Sequence, residues 1–145
     1  MSAVTLLCTD RPLPLYDSGI RRVETSSHGG YTVSIETGGF SVQENSYYRP
    51  AVDELGLVLK PYQYELNLRA TPEDAEQLRA YLAKNLRPGE TVELWNLWVG
   101  PDREERVCSF RGKLAQLDGE TLRQFCCPPP GQRELPWQCR LTIEI

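Results

Sequence analysis

The chain has 145 residues; 16 are Lys or Arg and 20 are Asp or Glu, a formal net charge of −4, with 40% hydrophobic and 25% charged. This is the balance of an ordinary globular protein, and it excludes a disordered tail, a collagen, a coiled coil and a disulfide-built miniprotein. An acidic chain whose longest basic run is Arg21-Arg22 also argues against nucleic acid as a partner, because that affinity comes from Lys and Arg releasing counterions.

In chain order, Val4, Leu6 and Cys8 predict a short first strand, closed by the Pro-rich turn Asp10-Arg11-Pro12-Leu13-Pro14. Ile20 to Thr25 forms a second candidate, and Tyr31, Val33 and Ile35 a third. Gly38-Gly39 then reads as a two-residue type I′ turn, whose central positions both need positive φ. That turn would set Ile35 opposite Val42 and Thr37 opposite Phe40. The first 45 residues therefore read as a β-meander, and the only histidine, His28, as an exposed turn residue beside Gly29-Gly30. Gln43 to Pro61 is the longest poorly patterned stretch; it carries Tyr47, Tyr48 and Arg49, and long aromatic loops often bind.

The second half is patterned more strongly. Tyr62, Tyr64, Leu66 and Leu68 alternate as a half-wet strand. Thr71 is an N-cap, Pro72 suits the first helical position and Glu73-Asp74 match the helix dipole, so a main helix is predicted over about 72–86, burying Ala75, Leu78, Leu82 and Leu86. Between Glu90 and Val99 the alternation changes phase, which means either burial on both faces or a bulge near Leu94. Trp95 and Trp98 then fall on opposite faces, and one of them needs cover from the meander, a ligand or another chain. A strand with Cys108, Phe110, Gly112 and Leu114 on one side follows, then a short helix capped by Asp118 and bearing Leu122, Phe125 and Cys126, ended by Pro128-Pro129-Pro130-Gly131. The last strand alternates Trp137, Cys139, Leu141, Ile143 and Ile145. From Tyr62 the order of elements resembles the β-α-β-β-α-β layout of the ferredoxin-like architecture. The expectation is one α+β domain over 1–145 with a mostly antiparallel sheet: meander and long loop in 1–60, ferredoxin-like half in 61–145.

No motif for chemistry emerges. A Ser-His-Asp or Cys-His site would have to use His28. Cys126, Cys127 and Cys139 lack the paired spacing of a zinc site, and Cys126 and Cys139 fall on apolar stripes, so core thiols are expected and no metal or cofactor. Cys127 is left over as a candidate exposed thiol. The carboxylates of Glu73-Asp74-Glu76 belong to a helix's first turn, and Glu104-Glu105 lie beside Arg103 and Arg106 in a loop. An odd count of five Cys, with no signal-peptide pattern and no apolar run longer than Leu55-Gly56-Leu57-Val58-Leu59, points to the cytoplasm and away from membranes.

Three functional readings follow. The first is a non-catalytic binding protein acting through a protein partner, in concrete form a bacterial toxin-neutralising, immunity-like protein. The second is a small-molecule binder or enzyme with a pocket lined by Tyr47, Arg49, Tyr62 and Trp95. The third is self-association through an edge strand at Trp137–Ile145. The candidate binding residues are Tyr47, Tyr48, Arg49, Tyr62, Trp95 and Trp98.

Overall fold

A computed structural model of the chain describes residues 2–100, 106–126 and 138–145. It is an α+β protein. Seven strands form one sheet in the order β2-β5-β6-β1-β7-β9-β8, and two more form a separate ribbon, β3-β4. The strands are β1 Ser2–Thr9, β2 Tyr16–Asp17, β3 Arg21–His28, β4 Tyr31–Gly38, β5 Ser41–Glu44, β6 Tyr62–Asn67, β7 Thr91–Val99, β8 Val107–Lys113 and β9 Gln138–Glu144; the helices are α1 Arg49–Asp53, α2 Pro72–Asn85 and α3 Gly119–Cys126. All pairings are antiparallel except β8 with β9.

Helix α2 forms for the reasons its sequence supplies. The Thr71 side chain accepts the Asp74 backbone N–H, Pro72 opens the first turn, and Leu86, extended, closes the helix before Pro88-Gly89. Ala75, Leu78, Leu82 and Leu86 are all buried, with Tyr81 added. They pack with Leu122 and Phe125 of α3 on one face of the sheet, against Leu7, Tyr64, Leu66, Val92, Leu94, Leu141 and Ile143. The other face carries a smaller core of Val4, Leu6, Cys8, Trp95, Leu97 and Val99, covered by Val52 of α1 with Ala51, Leu55, Leu57 and Leu59 around it. Strand β7 is thus buried on both faces. Its register with β1 and β9 is unbroken, so the change of phase near Leu94 is not a bulge.

The N-terminal strands do not form a meander. Strand β1 sits in the middle of the sheet, between β6 and β7. The β6-α2-β7 unit is therefore a split βαβ, but its inserted strand comes from the N-terminal segment, while β8-α3-β9 is an unsplit parallel unit. From Tyr62 the described elements run β6, α2, β7, β8, α3 and β9, in a sheet wired differently from the ferredoxin-like one. Nor is β9 an edge strand: it lies between β7 and β8, and the edges are β2 and β8.

The Gly38-Gly39 turn is also displaced. The tight turn is Gly29-Gly30, at φ of 55° and 86°, joining His28 to Tyr31. Ile35 consequently faces Glu24, and Thr37 faces Arg22. Two Gly-Gly pairs compete along one alternating run, and only the first adopts the positive φ pair that a type I′ turn requires. The second serves close approach. Between Asp17↔Ser41 and Arg21↔Gly38, the three residues Ser18, Gly19 and Ile20 stand against two, Gly39 and Phe40. This is a β-bulge, and it re-aims the chain. The bonds Ser18 N–H to Phe40 O (3.1 Å) and Gly39 N–H to Ile20 O (2.6 Å) carry the pairing through it. A Cβ on Gly39 would lie 2.8 Å from the Ile20 Cβ. Strands β2 to β5 are thus one long hairpin whose base is sheet edge and whose outer part is a free arm.

Candidate functional site

The six residues singled out from sequence are not assembled in one place. Tyr47 is 82% exposed and meets Tyr48 edge-on, ring centroids 4.9 Å apart; Arg49, exposed, opens α1. Tyr48 packs on the edge of the smaller core that holds Trp95. Tyr62 pairs with Thr9 and shares the helical face with Tyr64 and Leu7, so the sheet separates it from Trp95. The cavities described here, one of about 870 Å³ and two of about 250 and 290 Å³, have walls that include none of the six. Alternation along β6 and β7 points Tyr62 and Trp95 to opposite faces of the sheet, so Tyr47, Arg49, Tyr62 and Trp95 do not line one pocket together.

Trp95 is a core residue at 2% exposure. Its cover comes from the 48–59 segment, not from meander strands or a ligand. The Arg140 guanidinium lies 5.4 Å from the centre of its ring, and Arg140 also reaches Ser109 Oγ at 3.1 Å and Glu93 at 3.8 Å. Truncating such a side chain costs about 3–5 kcal/mol, a large share of a typical 5–15 kcal/mol stability. That cost places Trp95 among residues that hold the fold. Trp98 is half-buried at the end of β7, where its backbone exchanges two hydrogen bonds with the Gln138 side chain, at 2.7 and 2.9 Å.

The thiols behave as core groups. Cys8 and Cys139 are buried on opposite faces and Cys108 is half-buried. Burial, helped by the nearby Glu93 carboxylate and opposed by Lys60, pushes the Cys8 thiol up to about 12, so it stays protonated and unreactive at neutral pH. Cys127, Trp137 and the 103–105 turn lie outside the described residues, as does the side chain of Cys126. Among the described residues no three His, Cys, Asp or Glu side chains gather as a ligand set, and no helix is long and apolar enough to cross a membrane.

The feature that stands out is the arm. Every residue from Val23 to Glu36 is exposed, over roughly 20 Å of ribbon at the usual rise per residue. Directly paired residues of an antiparallel ribbon share a face, so Ile35, Val33 and Tyr31 line up along one side beside Glu24, Ser26 and His28. Their exposures are 56%, 44% and 78%. The base of the arm is fixed by charge. Arg22 pairs with the buried Asp74 at the start of α2, and Asp74 also accepts the Arg69 N–H at 2.7 Å. Arg69 reaches Glu24 at 2.9 Å, and the Asn67 side chain donates to the carbonyls of Gly38 and Gly39. Tyr31, Val33 and Ile35 were legible as an alternating strand, but not as an exposed one. The signal against burial is the partner strand, where Arg22, Glu24, Ser26 and His28 put nothing apolar on the same face.

The chain matches no protein-family model, and it has no significant match among curated proteins or solved structures.

Proposed function

We propose that this chain is a non-catalytic binding protein that holds a protein partner, with the arm as its contact. One observation carries this reading: the aligned, exposed row of Tyr31, Val33 and Ile35 on a ribbon that the described chain leaves bare. Contiguous apolar surface of this kind is the usual mark of an interaction site, and tyrosine is among the residues that anchor one. The outer edges of β3 and β4 also offer unpaired backbone groups to an added strand. A net charge of −4 favours a basic partner and speeds its capture; a bacterial toxin neutralised by an immunity-like protein is the concrete form. The free thiols Cys8, Cys108 and Cys139 suit a reducing, cytoplasmic setting. The corner of exposed Tyr47 and Arg49, with half-buried Tyr48 between them, is a secondary contact in this reading.

The test is native mass spectrometry after gentle affinity capture from the source extract, with the wild-type chain and two variants run side by side. The first variant combines Tyr31→Ser, Val33→Ser and Ile35→Ser; the second combines Tyr47→Ala and Tyr48→Ala. A different polypeptide should be retained at fixed stoichiometry by the wild type, lost from the first variant and weakened in the second. Equal retention by the arm variant, a bare monomer throughout, or retention only of a second copy of this chain would each overturn the proposal.

A further inference from the structure

A cleft of about 870 Å³ opens at the end of the sheet away from β1's start, between the last turn of α2, the end of β8 and the end of β9. Its body is apolar: Ala83 and Leu86 of α2, Leu114 and Ala115 of the 3₁₀ turn that follows β8, and Ile145. Its rim carries three cations, Arg79, Arg111 and Lys113, and the carboxylate of Glu144. Two of the cations are engaged. Arg111 pairs with Glu144 at 2.7 Å, and Arg79 donates to the Leu117 carbonyl near Asp118. The Lys113 side chain is exposed and has neither an ion pair nor a hydrogen bond among the described residues.

The residues that line the cleft fall within 79–91, 111–115 and 144–145, all of them described. A volume within the 300–1,000 Å³ range of small-molecule sites, apolar inside with a few charged groups at the mouth, is the usual design of such a site. We propose that this cleft binds a small amphipathic anion, an apolar chain or ring with one carboxylate, sulfonate or phosphate, the apolar part against Leu86, Leu114 and Ile145 and the head group on Lys113. This site is separate from the arm and does not depend on it.

Isothermal calorimetry of the full chain with decanoate, and with its uncharged isostere decanamide, tests the assignment. Decanoate should bind at one per chain and decanamide about tenfold or more weaker, the range of one charge-assisted hydrogen bond. Lys113→Glu should weaken decanoate by a similar factor and leave decanamide unchanged. Ala83→Trp should abolish both by filling the cleft. Both positions are exposed, so the variants should melt like the wild type; Ala115→Trp, also exposed, replaces Ala83→Trp if that variant fails to fold. Absence of decanoate binding, equal binding of the two ligands, or binding that survives the filled cleft would overturn the site.

Discussion

Glu90 shows how much a single half-buried side chain can organise. Its carboxylate takes two hydrogen bonds from the Arg11 guanidinium, at 2.8 and 2.9 Å, and one from the Arg87 backbone N–H at 2.7 Å. Arg11 meanwhile donates to the Asn85 carbonyl at 2.6 Å, joining the loop after β1 to the end of α2. The Arg11 bond first, and the Arg87 bond second, hold the Glu90 carboxyl down at about 2 against an ordinary 4.5. A carboxylate with a lowered folded-state value stabilises the fold above its unfolded value and loses that contribution as pH falls. In urea unfolding, the wild type should exceed Glu90→Gln by a constant margin from pH 5 to 8, and the margin should close between pH 4.5 and 2. A margin unchanged at pH 2.5 would mean that ionisation of Glu90 is not its source. At this scale the sequence reveals only what is local. Thr71 capping Asp74 is written in four adjacent residues, whereas the partners Arg11 and Glu90, or Arg22 and Asp74, are joined only by the folded chain.

Among the elements, α2 and the arm mark the limits of what pattern can show. The helix carries its cap, its first-turn proline, its stop and its apolar period within one stretch, and it runs Pro72–Asn85 against an expected 72–86. Strands declare their faces but not their neighbours, so a single slip of register or a second glycine pair rewrites the pairing. That is why the hairpin was expected at Gly38-Gly39, and why β9, apolar on alternate residues, could be taken for an edge. The arm's pattern also hides its energetics. Since residues 23–36 are exposed throughout, they contribute little to the core, and the Arg69–Glu24 pair is exposed on both sides and worth at most about 1 kcal/mol. Replacing residues 24–35 by Asn-Gly, which keeps Arg22 on Asp74, should lower the melting temperature by less than about 5 °C in a circular dichroism melt. A fall of more than about 10 °C would show that the arm packs on the body.

For the whole molecule, the sheet separates two cores of unequal size, and only one of them was legible. The helical-face core follows from α2 and α3, whose periods were plain in the sequence. The second, under Val52, Leu55, Leu57 and Leu59, is made by a stretch without period that was expected to be a binding loop. The candidate residues Trp95, inside it, and Tyr48, at its border, are consequently more structural than their composition suggested. Native-state hydrogen exchange should rank these parts: slowest in the interior strands β1, β7 and β9, fastest in residues 23–36. Protection in the arm equal to that in β7 would mean that something covers it in solution.

The position of β1 bears on biosynthesis. Residues 2–9 leave the ribosome before both of their neighbours in the sheet, residues 62–67 and 91–99. Until β6 has emerged β1 has no native partner, and until β7 has emerged Val4, Leu6 and Leu7 lack one on the other side. Pairings this distant in sequence also slow folding, because the loop must close before any contact rewards it. A chain wired this way should refold more slowly than one of equal size whose sheet grows strand by strand along the sequence.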